Sequence, residues 1–121
     1  MEIFGHEYGF LLTVGASAKV SDLCPGGDLT RIGEAFGASN FGSTIRFVAE
    51  FIAALAKGYD DAERFAGRPV DHPPLTAEMV LALPSSEFNA ARQEAMNAFG
   101  GSMKGSVEAE PSKKNKGTES N

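Results

Sequence analysis

The strongest constraint on the fold of this chain is an amphipathic stretch between Ser43 and Asp60. Apolar side chains recur there at helical spacing and form one continuous face: Ile45, Val48, Ala49, Ile52, Leu55, Ala56 and Tyr59. Phe47 and Phe51 add a second apolar stripe beside this face. The remaining polar side is narrow and consists of Arg46, Glu50, Ala53 and Lys57. Since a helix with so wide an apolar surface needs neighbours on several sides, the pattern predicts the central helix of a bundle.

Two shorter helices are predicted before the central one. The first runs from Val14 to Leu23 and ends at the sequence Cys24-Pro25-Gly26-Gly27. Asp28 can cap a second short helix, which carries Leu29, Ile32 and Phe36 and stops near Gly37.

Two further helices are predicted after the central one. A connection from Gly67 to Pro74 contains three prolines, which preclude regular helix. Thr76 is the expected cap of a short helix that reaches Leu83. The last helix is predicted from Ser85 to Phe99, with Gly100-Gly101 as its C-terminal cap.

The N-terminus is predicted to form a β-hairpin. Two short apolar or aromatic runs, Ile3-Phe4 and the stretch from Glu7 to Leu12, flank a two-residue turn at Gly5-His6. A hairpin of two strands is marginal in water and has to pack on the helices.

The 121 residues divide into a body and a tail. Residues 1–104 carry the apolar pattern and are predicted to form a single helical domain with the N-terminal hairpin. Residues 105–121 contain only Val107 and Ala109 as apolar side chains, so they are predicted to be disordered. The expected fold class is therefore mainly α: a small helical bundle with a short N-terminal β-hairpin and a disordered C-terminal tail.

Composition excludes several classes of function. The formal net charge is −5, which argues against nucleic-acid binding through a broad basic surface. The longest apolar run, Phe51 to Ala56, is far shorter than the roughly 18 residues that cross a membrane. The first residues lack the basic and apolar regions of a secretory signal. Because Cys24 is the single cysteine and cannot form an internal disulfide, we expect a reducing cytoplasm.

The sequence contains no convincing catalytic or ligand-binding constellation. His6 is expected to be solvated in the hairpin, and the neighbours Asp71 and His72 lie in a proline-rich loop that rarely forms a dyad. Cys24 is expected to be a buried, inert thiol. Asp60-Asp61-x-Glu63 is interpreted as a solvated acidic helix end rather than a metal site, and the Pro25–Asp28 turn lacks the lysine of a phosphate loop. We therefore expect a binding module without enzymatic activity, metal or cofactor.

Aromatic residues are the best candidates for a partner surface. Nine phenylalanines are many for a body of this size, so some are expected near the surface. Core packing accounts for most of them, and the candidates for partner binding are Phe4, Tyr8, Phe10, Phe41, Phe47, Phe51 and Phe99. The wide apolar surface of the central helix and the open edges of the hairpin also predict a homo-oligomer.

The order of these features resembles the tail assembly chaperones of long-tailed bacteriophages. The hairpin Ile3–Phe10 precedes small helices and the amphipathic helix Ile45–Tyr59, and Pro74-Leu75-Thr76 then opens a further helix. A last helix, Ser85–Phe99, is followed by a polar Glu/Lys/Asn tail. The resemblance covers nearly the whole chain and rests on pattern and order rather than on an invariant motif.

The resemblance implies a non-enzymatic protein of the host cell cytoplasm. Such a chaperone binds the tape measure protein and the tail tube protein during tail assembly, keeps them soluble, and is absent from the mature virion. Many members of the family are made in two lengths by a programmed frameshift. Lys113-Lys114-Asn115 can be encoded by a slippery sequence, which agrees with this trait.

Two other classes of function stay open on the sequence alone. One is a small cytoplasmic helical regulatory or adaptor protein, or a DNA-binding one, although the acidic body and the absence of a helix with clustered Arg and Lys count against DNA binding. The other is an enzyme subunit whose site a partner completes, in which His6 or His72 would be essential.

Overall fold

A computed structural model describes residues 1–37 and 41–108, with side chains described as far as residue 102. The chain forms a hairpin of β1 (Glu2–Ile3) and β2 (His6–Glu7), followed by α1 (Val14–Leu23). Two 3₁₀ turns, Pro25–Gly27 and Leu29–Arg31, lead into α2 (Ile32–Phe36). The remaining helices are α3 (Phe41–Phe65), α4 (Ala77–Leu81) and α5 (Ser85–Glu108). The predicted mainly helical fold with an N-terminal hairpin is confirmed.

The hairpin turn lies one residue earlier than predicted. Ile3 pairs with His6, so the turn residues are Phe4 and Gly5 rather than Gly5 and His6. Both have positive φ, 49° and 82°, which is the backbone that a tight two-residue hairpin of this kind requires. Because glycine was expected at the first turn position, no sequence pattern indicated that Phe4 would occupy it.

The second strand is also shorter than predicted, because the chain after Glu7 lies against α3 instead of continuing the hairpin. The Leu11 amide donates to the Leu55 carbonyl at 3.0 Å. Gly58 permits this approach, since a β-carbon there would lie 2.5 Å from the Leu11 carbonyl oxygen. Thr13 then begins α1 by accepting a hydrogen bond from the Ala16 amide.

Helix α3 is the predicted central helix and extends beyond both predicted ends. Ile52 and Leu55 are fully buried, as are Phe51, Ala49 and Ala56, whereas Arg46 and Lys57 on the predicted polar side are exposed. The predicted orientation of this helix is confirmed, except that Tyr59 of the predicted apolar face is 37% exposed. Helices α1, α2, α4 and α5 all pack on α3, which therefore forms the centre of the bundle.

The predicted caps of the short elements are confirmed. Asp28 accepts a hydrogen bond from the Thr30 amide at 3.0 Å, and Thr76 accepts one from the Met79 amide at 3.2 Å. Between α3 and α4, the proline-rich connection contains no helix, as predicted.

The predicted end of the last helix is wrong. Helix α5 continues through Gly100 and Gly101 to Glu108, because neither glycine adopts the positive φ of a helix cap. The backbone of residues 105–108, which were assigned to a disordered tail, is therefore helical. Residues 109–121, with Lys113-Lys114-Asn115 among them, lie outside the described residues.

Candidate functional site

A groove of about 720 Å³ lies beside the central helix. We call it the α3 groove and define it by the apolar residues Ala53, Ala54, Pro74, Leu75 and Leu81 and the charged residues around them. Its lining comes from α3, from Lys19 of α1, and from α4 with the residues just before it. Since α1 and α4 pack chiefly on α3 rather than on each other, they leave an opening over the polar side of α3.

Charged side chains of both signs surround the apolar lining. The lining contains four cations, Lys19, Arg46, Lys57 and Arg64, and four carboxylates, Glu50, Asp60, Asp61 and Glu78. The Asp61 carboxylate accepts a hydrogen bond from Lys57 at 2.7 Å and another from Arg64 at 2.8 Å. Both bonds lower the pKa of this carboxyl group, and the bond from Lys57 has the larger effect. Within the described residues no ion pair involves Lys19 or Arg46, so both cations are available to a ligand. The arrangement can bind an elongated amphipathic ligand.

The polar side of α3 was predicted correctly from the sequence, but the groove that it lines was not predicted. Arg46, Glu50, Ala53 and Lys57 were predicted as a plain solvated face, and all four line the groove. One sign of the groove was visible in the sequence: Ala53 is a small residue in the middle of an otherwise charged stripe, and it leaves room for another chain to approach.

A buried hydrogen-bonded pair lies near the C-terminal end of α3, where Asp60 also belongs to the lining of the α3 groove. The Nε2 atom of His72 lies 2.9 and 3.0 Å from the two carboxylate oxygens of Asp60, and Asp60 is only 5% exposed. The pair joins α3 to the proline-rich connection. The interpretation of Asp60 as part of a solvated helix end is wrong, because α3 continues for another turn and places this carboxylate on its buried face.

Tyr8 completes this cluster. Its ring centroid lies 4.3 Å from that of His72, and its hydroxyl group donates to the Pro73 carbonyl at 2.7 Å. Burial, and secondarily the negative charge of Asp60, raises the pKa of Tyr8. The cluster therefore fastens the N-terminal segment, the connection and α3 together.

A second cavity, of about 490 Å³, lies next to the Asp60–His72 pair. Tyr8, Phe10, Tyr59 and the acidic residue Glu94 are part of its lining, and no serine, threonine or cysteine contributes to it. Without a serine or cysteine beside the imidazole, the described lining offers no Ser–His or Cys–His arrangement. No group of three His, Cys, Asp or Glu residues in the described part of the chain is placed to hold a metal ion.

The two remaining candidates from the sequence are accounted for by their surroundings. Cys24 is 4% exposed, its thiol donates to the Val20 carbonyl at 3.2 Å, and burial raises its pKa, so the predicted buried thiol is confirmed. His6 is exposed, as predicted, although it lies in β2 and not in the turn.

The seven aromatic partner candidates occupy three different environments. Phe4 and Phe41 are exposed, at 53% and 80%. Phe10 and Phe99 are half-buried against the core. Tyr8, Phe47 and Phe51 belong to the core itself, so in the isolated chain they are not accessible to a partner. Much of the aromatic surplus forms edge-to-face contacts around α3, such as the 5.0 Å contact of Phe36 with Phe47.

Val14 and Phe65, which were not among the predicted partner-binding residues, are each 89% exposed. Phe65 closes α3 beyond the predicted end of that helix, which is why the periodicity did not point to it.

Comparison of this chain with protein-family models, with curated proteins and with solved structures finds no match. In the part of the chain that the structure describes, no helix combines the length and the apolar character needed to cross a bilayer.

Proposed function

We propose that this chain is a non-enzymatic assembly chaperone of a long-tailed bacteriophage. It binds the tape measure protein and the tail tube protein in the host cytoplasm while the tail is built, keeps them soluble, and does not enter the mature virion. It self-associates when no client is bound. The observation that carries the proposal is the α3 groove.

The groove suits a helical client. Recognition of an amphipathic helix in a groove requires an apolar strip for the anchoring side chains and polar groups on either side of it. Ala53 and Ala54 permit close approach of a client helix, while Leu75 and Leu81 contribute larger apolar contacts. A volume of about 720 Å³ lies within the usual range of ligand sites. A long, helical and aggregation-prone tape measure protein presents repeated apolar faces that such a groove covers in turn.

The charged rim supports reversible rather than permanent binding. Lys19 and Arg46 are exposed cations that can pair with acidic side chains of a client, and Glu50 and Glu78 can pair with basic ones. Exposed pairs of this kind each contribute up to about 1 kcal/mol. They orient a client without holding it tightly, which agrees with a protein that releases its client as the tail forms.

The buried cluster of Tyr8, Asp60 and His72 supports a structural role rather than catalysis. The His72 and Asp60 side chains are 12% and 7% exposed, and Asp60 occupies the Nε2 side of the imidazole. A histidine held in this way fixes the connection before α4, and thereby the wall of the α3 groove that Leu75 provides.

Co-expression with a candidate client tests the proposal. The natural candidate is the product of a long helical gene downstream, with a tail tube gene upstream. We expect the wild-type chain to increase the soluble fraction of that protein. Leu81→Asp, which places a charge in the groove at a side chain already 44% exposed, should abolish the increase. Val14→Asp makes the same change at an exposed position outside the groove and should have no effect. A wild-type chain that neither binds nor solubilises the client would refute the proposal.

A further inference from the structure

The charged side chains that α3 contributes to the groove follow a definite order along the helix. Cations and carboxylates alternate on either side of two adjacent alanines. The charged members lie three, four or seven residues apart along the chain, so they share one face of the helix. We call this set the α3 stripe, and it consists of Arg46, Glu50, Ala53, Ala54, Lys57, Asp61 and Arg64.

The α3 stripe is complementary to itself when it is read in the opposite direction. In two antiparallel copies of a helix, residues whose numbers have a constant sum face each other. With a two-fold axis between the two alanines, Arg46 of one copy faces Asp61 of the other. Glu50 then faces Lys57, and each of these contacts occurs twice. Arg64, the last charge of the stripe, lies opposite a neutral serine.

The charge balance of the groove also favours contact with its own copy. An isologous interface places the same surface on both sides, so a surface with a large net charge would repel its copy. The lining of the α3 groove has four cations and four carboxylates, whereas the whole chain has a net charge of −5. A parallel arrangement would place every charge of the stripe opposite a like charge. Only the antiparallel arrangement turns the balanced lining into attraction.

The charges concerned are accessible to a second copy. Arg46 and Glu50 form no ion pair within the described residues, although their spacing of four would allow one. Lys57 is paired with Asp61, but its side chain is 74% exposed and its ammonium group can donate to more than one acceptor. The Asp61 carboxylate can likewise accept more than its present bonds. The contact therefore breaks no ion pair that the isolated chain already has.

We propose that two copies of this chain pack face to face through the α3 groove, with their α3 helices antiparallel and the two-fold axis between Ala53 and Ala54. The small alanine side chains permit close approach at the centre of the contact. The axis keeps the α4 helices of both copies on the same side of the interface, where Leu81, 44% exposed in the isolated chain, is covered. This assignment rests on the self-association in the proposed function and names its contact surface. A client helix and the second copy then compete for one groove.

Exchange of charge between Glu50 and Lys57 tests the docking. Sedimentation of the full chain over a range of concentrations measures the dissociation constant. Glu50→Lys and Lys57→Glu each place like charges opposite one another at two points, so each should weaken self-association at least about tenfold. When the two single variants are mixed, opposite charges face each other again, and a heterodimer of about wild-type affinity should form. The double variant Glu50→Lys/Lys57→Glu should also associate like the wild type.

Further variants control for folding and for net charge. Arg46→Glu reverses an exposed charge without a described ion pair, so it should weaken self-association while the melting temperature stays within a few degrees. Glu87→Lys makes the same change as Glu50→Lys at an exposed position that does not line the groove, and should leave the dissociation constant unchanged. The wild-type dissociation constant should rise with salt between about 50 and 500 mM, because the contact includes ion pairs.

Three results would overturn the docking: a monomeric wild type, single variants that associate like the wild type, or a mixture of folded single variants that stays monomeric. Client solubilisation by the wild-type chain separates these results from the proposed function. If the wild type solubilises the client but the charge exchange has no effect, the groove serves the client alone and the proposed function stands. If the mixture forms the heterodimer but the wild type neither binds nor solubilises the client, the docking stands and the proposed function is wrong.

Discussion

At the scale of single residues, the buried Asp60–His72 pair has the largest expected effect on stability. A carboxylate on the buried face of a helix is tolerated only when a partner compensates for its lost hydration. Here the compensating group comes from a connection that has no regular secondary structure. The pair therefore determines where that connection lies on α3.

Replacing His72 tests this directly. His72→Ala leaves Asp60 buried without its partner and should lower the free energy of unfolding by about 3 kcal/mol. Asp71→Ala changes the exposed neighbour in the same connection and should cost less than about 0.5 kcal/mol. Urea denaturation of the three proteins measures both values. If both variants lost the same free energy of unfolding, the loss would come from disturbing the connection and not from removing the partner of Asp60.

Tyr8 is expected to make stability depend on alkaline pH. Since its pKa is raised in the folded state, the folded chain keeps a proton that the unfolded chain loses above about pH 10. The stability that the protonated Tyr8 side chain contributes is fully present below about pH 10 and is lost as the pH rises through the pKa of the folded state. Tyr8→Phe should cost about 1 kcal/mol at neutral pH, through the lost bond to Pro73, and should then lose less stability between about pH 9 and 11. Parallel stability curves for the two proteins would contradict this account.

Only part of this cluster could have been predicted from the sequence. Asp60 follows Ala56 by four residues and thus lies on the apolar face of the helix, which was a visible sign of burial. Its partners gave no such sign. His72 lies within the irregular connection after α3, and Tyr8 lies near the N-terminus of the chain, so only tertiary structure brings them to Asp60.

At the scale of secondary-structure elements, the contact between the segment before α1 and helix α3 is unusually close. It depends on Gly58, where a β-carbon would lie 2.5 Å from the Leu11 carbonyl oxygen and 3.0 Å from the Thr13 hydroxyl group. Both neighbours are fixed, since Leu11 is hydrogen-bonded to α3 and Thr13 caps α1.

Alanine substitutions at two helical glycines should therefore have opposite effects. Gly58→Ala forces the two segments apart and should lower the free energy of unfolding by about 1–3 kcal/mol. Gly100→Ala places its β-carbon in open space within α5 and should raise it by about 0.5–1 kcal/mol. Thermal melts of both variants against the wild type provide the comparison, and stabilisation by Gly58→Ala would show that the close contact is not needed.

Prediction of elements succeeded where periodicity was long and failed where a local signal was ambiguous. The eighteen-residue pattern of α3 and the caps Asp28 and Thr76 are such successes. Gly100-Gly101 resembles a helix cap in sequence, but the cap depends on a positive φ that sequence does not reveal. At the hairpin, Gly5 was compatible with either turn position, and burial of Ile3 decided between them.

At the scale of the whole molecule, stability should reside in the body of the chain. Removing residues 105–121 should leave the melting temperature within a few degrees, because the deleted segment contains only Val107 and Ala109 as apolar side chains. The helical backbone of residues 105–108 adds little to this, since glycine and serine are poor helix formers. A large fall in the melting temperature would show that the segment packs on the body.

The packing of every other helix on α3 has a consequence for how the molecule opens. Because α1, α4 and α5 are neighbours of α3 more than of one another, one of them can detach while the others stay in place. Amide hydrogen exchange should then show a graded order. The α3 amides should exchange only on global unfolding, whereas those of α4 and the hairpin should exchange earlier and independently of each other. The groove beside α3 would thus widen or close without the fold being lost.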